Sequence, residues 1–339
     1  MGNDLNQKFG DELVVGLDAG GTRTRVVLAA AADGRLLGEG AAGPGNALTV
    51  PVPQLTGHLA EAVAAAVPEQ ARGRVVSVAG GFAGATAASP DDPGHVNART
   101  ALTAALRRLG IPTGPVGICS DIEAAFAAAP GTPADGLALV AGTGAVAMRI
   151  TGRRGTVTVD GDGWLLGDDG SGFWIGRTAV RAALRMADGR GPATALAVSV
   201  GRAFGVPGSV LPPDGDAARW SRPQREAFRM HLLPAVMADP PIRLARLAPP
   251  VAEAARDKDA VAEAILEEAA DQLTETVRAL DPVAGEPLVA TGGLLGPDGP
   301  LTALLAGRLT ALGLTLDWVA DGCRGAAALA RLAHGGGSR

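Results

Sequence analysis

The first residues that could do chemistry lie between Leu13 and Ala30. An apolar run ends in Asp18, a turn follows at Gly20, Gly21 and Thr22, and a second apolar run covers residues 26–29. This pattern predicts two antiparallel strands joined by a glycine turn. The backbone N–H groups of such a turn can approach an oxyanion closely, and Asp18 could ligate Mg²⁺, which prefers oxygen ligands. An ordinary hairpin with a turn aspartate is the alternative.

A second copy of this pattern covers residues 136–151. There an apolar strand, a turn at Gly142, Thr143 and Gly144, and another apolar strand follow one another. Both units continue into a further turn and strand, so the sequence indicates an internal duplication rather than a short-period repeat. Two such hairpins that face each other across a cleft could hold the phosphates of a nucleotide from both sides.

Other chain reversals also follow predicted strands. Residues 74–79 form a predicted strand that runs into a glycine turn at Gly80 and Gly81, and residues 288–290 run into Gly292 and Gly293. A third strand, 116–119, ends at Ser120 and Asp121, before a helical run. The local sequence favours a helix N-cap at this corner, provided by Ser120 or Asp121.

The stretch 160–176, DGDGWLLGDDGSGFWIG, concentrates charge. It holds four aspartates, six glycines and two tryptophans in 17 residues. Because like charges repel, this cluster suits a site that meets a cation or many hydroxyl groups. A solvated acidic loop is the alternative, and the interleaved Trp164, Leu165, Leu166 and Trp174 argue against it.

Composition limits the classes of protein and partner. The 339 residues, 47% apolar and 19% charged, predict two folded domains, and the net charge of −5 with no tyrosine argues against nucleic-acid binding. The polar residues 1–12 and the lack of a long apolar stretch predict a soluble, cytoplasmic protein that does not enter a membrane. The main predicted helices cover 53–67, 97–109, 177–186, 251–281 and 322–333, and 205–250 is predicted to form irregular loops with short helices.

Taken together, these motifs resemble the sugar kinase/actin/Hsp70 superfamily. Within it, the chain is similar to the N-acetylglucosamine kinase branch, shared with the activator ATPases of 2-hydroxyacyl-CoA dehydratases. The resemblance rests on residues 18–22, 142–144 and 291–293, and above all on 163–176. It implies an α/β fold of two RNase H-like domains around a cleft. The N-terminal domain would span 1–118 and the C-terminal domain 119–322, with a helical insertion at about 177–282 and the final helix, 323–335, packed back on the first domain.

The resemblance also implies the roles of individual residues in an ATP- and Mg²⁺-dependent kinase that acts on a small amino sugar. Asp121 matches the catalytic aspartate, which accepts the proton of the sugar 6-hydroxyl, and Asp18 would coordinate Mg²⁺ through water. The backbone of the two phosphate turns would bind ATP, through Gly20, Gly21, Thr22, Gly142, Thr143 and Gly144. Gly292 and Gly293 would lie near the nucleoside, and the sugar would contact Asn46, Gly81, Asp121 and Asp168. The resemblance allows a homodimer, and the residues do not decide the oligomeric state.

One departure from that family concerns the sugar. The similar N-acetylglucosamine kinases carry tryptophan where this chain has Asp162. An acetamido group favours an apolar wall, whereas a free 2-ammonium group favours a negative partner. The sequence therefore favours glucosamine over N-acetylglucosamine as the phosphoryl acceptor. The alternative is that Asp162 caps a turn or pairs with a nearby arginine.

Two other functions compete with a kinase. An activator ATPase would need closely placed cysteines that bridge an iron–sulfur cluster across a dimer, and Cys119 and Cys323 lie far apart in the sequence. A sugar sensor without activity could lose both Asp18 and Asp121, yet both are present. The sequence therefore predicts a hexosamine kinase that makes the 6-phosphate.

Overall fold

The computed structural model describes residues 12–85, 91–112, 114, 116–213 and 219–336. The prediction about the polar N-terminal segment falls almost wholly on residues 1–11, which lie outside the described part. None of the helices in the described ranges combines the length and hydrophobicity that crossing a bilayer requires.

The first sheet is built from the N-terminal third of the chain. Its strand order is β3-β2-β1-β4-β5, in which β1, β2 and β3 form an antiparallel meander and β4 and β5 run parallel to β1. The five strands are β1 (Leu13–Ala19), β2 (Thr24–Ala30), β3 (Leu36–Ala42), β4 (Val75–Phe82) and β5 (Val116–Ser120). The two predicted strands and the glycine turn at residues 20–22 are confirmed.

The second sheet repeats this topology. Its order is β10-β9-β6-β7-β8, with an antiparallel meander of β6, β7 and β8 and with β9 and β10 parallel to β6. Its strands are β6 (Gly136–Ala141), β7 (Ala145–Thr151), β8 (Arg154–Asp160), β9 (Leu288–Thr291) and β10 (Leu316–Trp318). The shared strand order agrees with the predicted internal duplication and with a two-domain α/β fold.

Helices cover both sheets. Those of the N-terminal half are α1 (Val52–Ala66), α2 (Pro93–Arg108) and α3 (Asp121–Ala127). The C-terminal half contributes α4 (Gly172–Ala187), α5 (Leu196–Ala203), α6 (Arg222–Ala238), α7 (Ala248–Arg256), α8 (Ala260–Arg278), α9 (Thr302–Thr310) and α10 (Cys323–Gly336).

The final helix packs against the first sheet. Residues of α10 share a buried apolar cluster with β1, β2 and β4. The contact is close because Gly16 has no side chain: a Cβ built there would lie 2.3 Å from the backbone nitrogen of Ala327. The chain thus returns to its N-terminal sheet after it completes the second. The domain division at 118/119 stays a proposal, and β5 crosses it.

Three local predictions are wrong. Gly80 and Gly81 do not form a turn, because β4 continues through them to Phe82. The single helix predicted over 251–281 is two helices, α7 and α8. The break comes at Lys258, whose φ is +67°, and at Asp259, whose carboxylate caps α8 by accepting from two backbone N–H groups.

The third error concerns the segment 205–250. It contains α6, a helix of 17 residues that includes Pro234. Ser221 and Gln224 form a capping box at its start, a pattern that the high proline content obscured. Helix α9 and strand β10 were not predicted at all.

Candidate functional site

The first and second sheets enclose a cavity of about 440 Å³. We call it the carboxylate cavity, because Asp18, Asp121 and Asp321 line it. The predicted site residues on its wall are Asp18, Gly20, Thr22, Asp121, Gly292 and Gly293. The fold thus brings together residues from both sheets that are up to 275 positions apart.

Strand register explains why Asp18 and Asp121 meet. Asp18, at the end of β1, is opposite Gly81 on β4, and Gly81 is opposite Cys119 on β5. Since the three strands are parallel, their carboxyl ends share one sheet edge, where α/β proteins commonly bind ligands. Asp121 begins α3 at that edge.

The N-cap of α3 is Ser120, not Asp121. The Ser120 hydroxyl accepts from the Glu123 N–H at 3.1 Å, and the Glu123 carboxylate accepts from the Ser120 N–H at 2.8 Å. This reciprocal pair is a capping box. Because Ser120 caps the helix, the Asp121 side chain can face the cavity, and one of its oxygens accepts from the Ile122 N–H at 3.0 Å.

Glu123 is a residue that sequence reasoning missed. It is buried, and its second carboxylate oxygen accepts from the Gly155 N–H on β8 at 2.8 Å. One side chain thus ties the helix that carries Asp121 to the second sheet. The spacing of Ser120 and Glu123 is the signal that could have identified it.

Gly81, on β4, lies directly against α3. It is buried, and a Cβ built there would lie 2.5 Å from the Cβ of Ala124 and 3.2 Å from the Cα of Asp121. The absence of a side chain therefore lets α3 approach β4 closely and sets the position of Asp121.

Burial is the largest cause of the raised pKa values of Asp18 and Asp121. It raises the pKa of Asp18 to about 6, and the charges of Asp121 and Asp321 add to this rise. The Gly322 N–H, at 3.2 Å, and Arg25, at 3.8 Å, oppose it. Burial, with a smaller contribution from Glu123, also raises the pKa of Asp121. The cavity therefore holds clustered negative charge that a cation would stabilise.

Asp321 is the second residue that sequence reasoning missed. Ligand atoms of Asp18, Asp321 and Cys323 all lie within 4.8 Å of one another. Burial raises the pKa of the Cys323 thiol, which disfavours the thiolate that binds metals, and a sulfur ligand is in any case too soft for Mg²⁺. The two carboxylates provide the oxygen donors that Mg²⁺ prefers, and the donor set fits this ion.

The two glycine turns keep several N–H groups free. The Gly20 N–H donates to the Arg23 carbonyl at 3.0 Å, and the Gly142 N–H donates to the Gly144 carbonyl at 2.9 Å. Within the described part of the chain, no hydrogen bond uses the N–H groups of Gly21, Thr22, Thr143 and Gly144. Such groups can bind an anion.

A second cavity, of about 530 Å³, adjoins the first at Gly293. We call it the alanine-lined cavity, because Ala245, Ala248 and Ala252 form one wall; Gly142, Thr143, Arg256, Gly293 and Asp298 also line it. The chain reverses at Gly292, whose φ is +106° and where a Cβ would lie 2.2 Å from the Ala141 carbonyl oxygen. The predicted turn at Gly292 and Gly293 thus lies between the two cavities.

The acidic stretch is a loop that ends at α4. One oxygen of Asp160 accepts from the Asp168 N–H at 2.6 Å, and the other accepts from the Asp169 N–H at 2.8 Å. Asp168 is buried, and its carboxylate accepts from the Ala145 N–H at 3.0 Å. Burial and the neighbouring aspartates raise the pKa of Asp168. Asp168 thus anchors the loop to the second glycine turn.

Of the five predicted sugar contacts, only Asp121 lines the carboxylate cavity, and Asn46, Gly81, Asp162 and Asp168 do not. Asn46 forms a local turn in which its side-chain oxygen accepts from the N–H groups of Leu48 and Thr49, at 2.9 and 3.0 Å. Asp162 is exposed on the acidic loop, and its carboxylate has no hydrogen bond or ion pair with any residue that the structure describes.

Comparisons with solved structures support the fold. A candidate N-acetylglucosamine kinase from Chromobacterium violaceum matches with a TM-score of 0.67 and 22% identity, over 96% of this chain and 99% of the other. A candidate N-acetylglucosamine kinase from Porphyromonas gingivalis matches with a TM-score of 0.65 and 20% identity, over 96% and 99%.

A third match is a ROK family glucokinase from Streptomyces griseus in complex with glucose and AMPPNP. Its TM-score is 0.52 and its identity 20%, over 94% of this chain and 99% of the other. At these identities the matches establish the two-domain α/β fold and nothing beyond it. Among curated proteins, no sequence matches. The model of the BadF/BadG/BcrA/BcrD ATPase family matches residues 15–306. The chain therefore belongs to the BadF/BadG/BcrA/BcrD ATPase family.

Proposed function

We propose that this protein is a sugar kinase that transfers the γ-phosphoryl group of ATP to the 6-hydroxyl of an amino sugar, with glucosamine as the favoured acceptor. The observation that carries the proposal is the carboxylate cavity, where Asp18 and Asp121 lie beside the first predicted phosphate turn and the predicted nucleoside segment at Gly292 and Gly293. Structural neighbours described as N-acetylglucosamine kinases and a glucokinase support it.

Asp121 is the proposed catalytic base. Phosphoryl transfer depends mainly on positioning and charge neutralisation, with one group that orients or deprotonates the attacking hydroxyl. The raised pKa of Asp121 makes its carboxylate a stronger proton acceptor than an ordinary aspartate. The capping box and Gly81 hold this carboxylate at the sheet edge.

ATP would lie across both cavities. The free N–H groups of Gly21, Thr22, Thr143 and Gly144 would bind its phosphates, and the alanine-lined cavity, beyond Gly293, would take the adenosine. Asp18 and Asp321 would hold Mg²⁺, through water. When bound, the ion would neutralise charge on the phosphates.

Glucosamine is favoured because the Asp162 carboxylate is free. The structure shows neither a turn that it caps nor an arginine that it pairs with, among the described residues, so it can accept from an ammonium group. Asn46, Gly81 and Asp168 are the remaining proposed sugar contacts. We propose that the enzyme works in the cytoplasm, and the two domains would close over the sugar to exclude water.

An activator ATPase is the less favoured function. Both Cys119 and Cys323 are buried. A cluster shared between two copies needs exposed cysteines, so neither residue suits it. The raised pKa of each thiol, caused mainly by burial, also disfavours the thiolate that iron would require.

The test is a coupled assay of ADP release with ATP and Mg²⁺, run in parallel with glucosamine, N-acetylglucosamine and glucose. We expect glucosamine to give the highest kcat/KM. Asp162→Ala should reduce kcat/KM for glucosamine but leave that for glucose unchanged, and Asp317→Ala, at an exposed position on β10, is the matched control. A preference for N-acetylglucosamine would retain the kinase and refute the role of Asp162, whereas no turnover of any sugar would refute the kinase.

A further inference from the structure

A third cavity, of about 670 Å³, lies beside the outer strands of the first sheet and shares Arg25, Ala320 and Asp321 with the carboxylate cavity. We call it the arginine cavity, because Arg23 and Arg25 on the β1–β2 hairpin and Arg324 at the start of α10 line it. Valine and alanine side chains of β2 and β3 form part of the same wall. The cavity thus combines cationic groups with an apolar surface.

The charges in this cavity are incompletely paired. Three guanidinium groups face two carboxylates, those of Glu39 and Asp321. Neither Arg23 nor Arg324 makes a side-chain hydrogen bond or an ion pair with any residue in the described ranges. In a chain with a net charge of −5, such a cationic cavity is a local exception.

This arrangement fits a small phosphate monoester. Guanidinium groups bind phosphate oxygens through paired N–H donors, and they do so more strongly than neutral donors. The apolar wall can contact the carbon skeleton of the ligand. A free phosphate ion could bind the guanidinium groups in the same way, but it has no carbon skeleton to contact the apolar wall.

Arg25 connects this cavity to the carboxylate cavity, since it lines both. Its Nη1 lies 3.8 Å from an Asp18 carboxylate oxygen, and its side chain is 45% exposed. An anion in the arginine cavity would draw the guanidinium away from Asp18. The Asp18 charge would then be less compensated and would attract a cation more strongly.

We propose that the arginine cavity binds a small phosphate monoester and that this binding raises cation affinity at Asp18 through Arg25. The binding step is independent of the proposed function, whereas the coupling rests on it. Because coupling is reciprocal, the bound cation would raise the affinity for the anion by the same factor.

The first measurement is isothermal titration of the nucleotide-free protein with glucose 6-phosphate, inorganic phosphate and glucose. We expect glucose 6-phosphate to bind, inorganic phosphate to bind more weakly, and glucose not to displace the phosphate ester. Arg324→Ala should weaken binding of glucose 6-phosphate at least tenfold. Arg181→Ala, which removes an exposed arginine on α4, is the matched control and should leave the affinity unchanged.

Arg324 lines the arginine cavity but not the carboxylate cavity, so its variant separates the two sites. An affinity for glucose 6-phosphate that is unchanged in Arg324→Ala would overturn the proposal, as would displacement of the ester by glucose. Arg324→Lys, which keeps the charge, should retain part of the binding and shows that any loss in Arg324→Ala does not come from misfolding.

The second measurement is the affinity for Mn²⁺ in the presence of ADP, followed by electron paramagnetic resonance. Saturating glucose 6-phosphate should tighten Mn²⁺ binding about two- to fivefold, as expected for release of a partly exposed ion pair. Arg25→Ala should abolish this response. An unchanged Mn²⁺ affinity in the wild type would overturn the coupling. If the protein has no kinase activity, the calorimetric titration with glucose 6-phosphate still tests the binding step, because that step does not depend on the proposed function.

Discussion

Replacement of Asp18 by asparagine should stabilise the ligand-free protein while it removes a proposed Mg²⁺ ligand. Asp18 lies in the carboxylate cavity with a side chain that is only 13% exposed, close to the charges of Asp121 and Asp321. Asparagine has nearly the same shape. Its side-chain oxygen can still accept from the Gly322 N–H, which lies 3.2 Å from Asp18. The substitution therefore removes the charge and keeps the contact.

The magnitude follows from the pKa. Folding raises the pKa of Asp18 from its ordinary 3.8 to about 6, mainly through burial. A difference of roughly two pKa units, at about 1.4 kcal/mol each, corresponds to a cost of about 3 kcal/mol for the ionised group. Because the folded state holds the proton more tightly, stability falls as the pH rises from 3.8 to 6. The cost is complete above pH 6 and absent below 3.8.

The assay is urea unfolding of wild type and Asp18→Asn at several pH values, without nucleotide or divalent cation. We expect the variant to be more stable at pH 7 by up to about 3 kcal/mol and equally stable near pH 3.5. Asp317→Asn, an exposed carboxylate on β10, is the matched control and should change stability by less than about 0.5 kcal/mol at any pH. Kinase activity should be lost in Asp18→Asn and retained in the control.

Two results would refute this reasoning. If Asp18→Asn were no more stable than wild type at pH 7, burial and the neighbouring carboxylates would not be destabilising Asp18. If it were more stable by the same amount at pH 7 and pH 3.5, the gain would not come from the charge. Mg²⁺ titration adds an independent check, because the ion should stabilise the wild type and not the variant.

Three further predictions concern the base, its support and the packing of the last helix. Asp121→Asn should lower kcat by about 100- to 10,000-fold and leave the ADP affinity measured by calorimetry unchanged. Because the pKa of Asp121 is raised, wild-type kcat/KM should also fall on acidification at a higher pH than it would with an ordinary aspartate. Glu123→Gln should cost about 1–3 kcal/mol in urea unfolding, because its amide would face one of two backbone N–H donors; an unchanged midpoint would contradict the link between the sheets. Gly16→Ala should cost about 1–3 kcal/mol, because its Cβ would meet the backbone of α10, whereas Gly57→Ala, a helix position with open space around it, should not destabilise; equal effects would contradict the packing argument.

The parts of the fold that the sequence predicts well are those encoded locally. The strand–turn–strand units depend on short apolar runs that end in glycine, and both appear where expected. The prediction of one long helix over 251–281 is wrong for a local reason as well. The chain breaks before Asp259, which is the N-cap of α8, and a continuous apolar periodicity does not reveal a cap inside it. The turn predicted at Gly80 and Gly81 is wrong for a tertiary reason: the strand continues there, and α3 packs so closely on it that Gly81 has no room for a side chain.

The site could be predicted only in part. The glycine turns and Asp18 stand out by composition, and Asp121 by its resemblance to a family motif. Asp321 has no comparable signal, since it precedes an ordinary small-residue helix and reaches Asp18 only because α10 returns to the first sheet. Such a contact, between residues about 300 positions apart, follows from the closure of the whole chain and from no local pattern.

The acidic loop shows why composition overstates the charge available to a ligand. The four aspartates suggest a strongly anionic site. However, the carboxylates of Asp160 and Asp168 accept hydrogen bonds from backbone N–H groups, and these bonds fix the loop and join it to the second glycine turn. Asp169 is influenced by Arg177 as well as by Asp160. Asp162 is left with an exposed carboxylate that accepts from no described residue. A single free carboxylate matches a single ammonium group, so under the proposed function the choice between an amino sugar and its acetylated form would depend on one side chain.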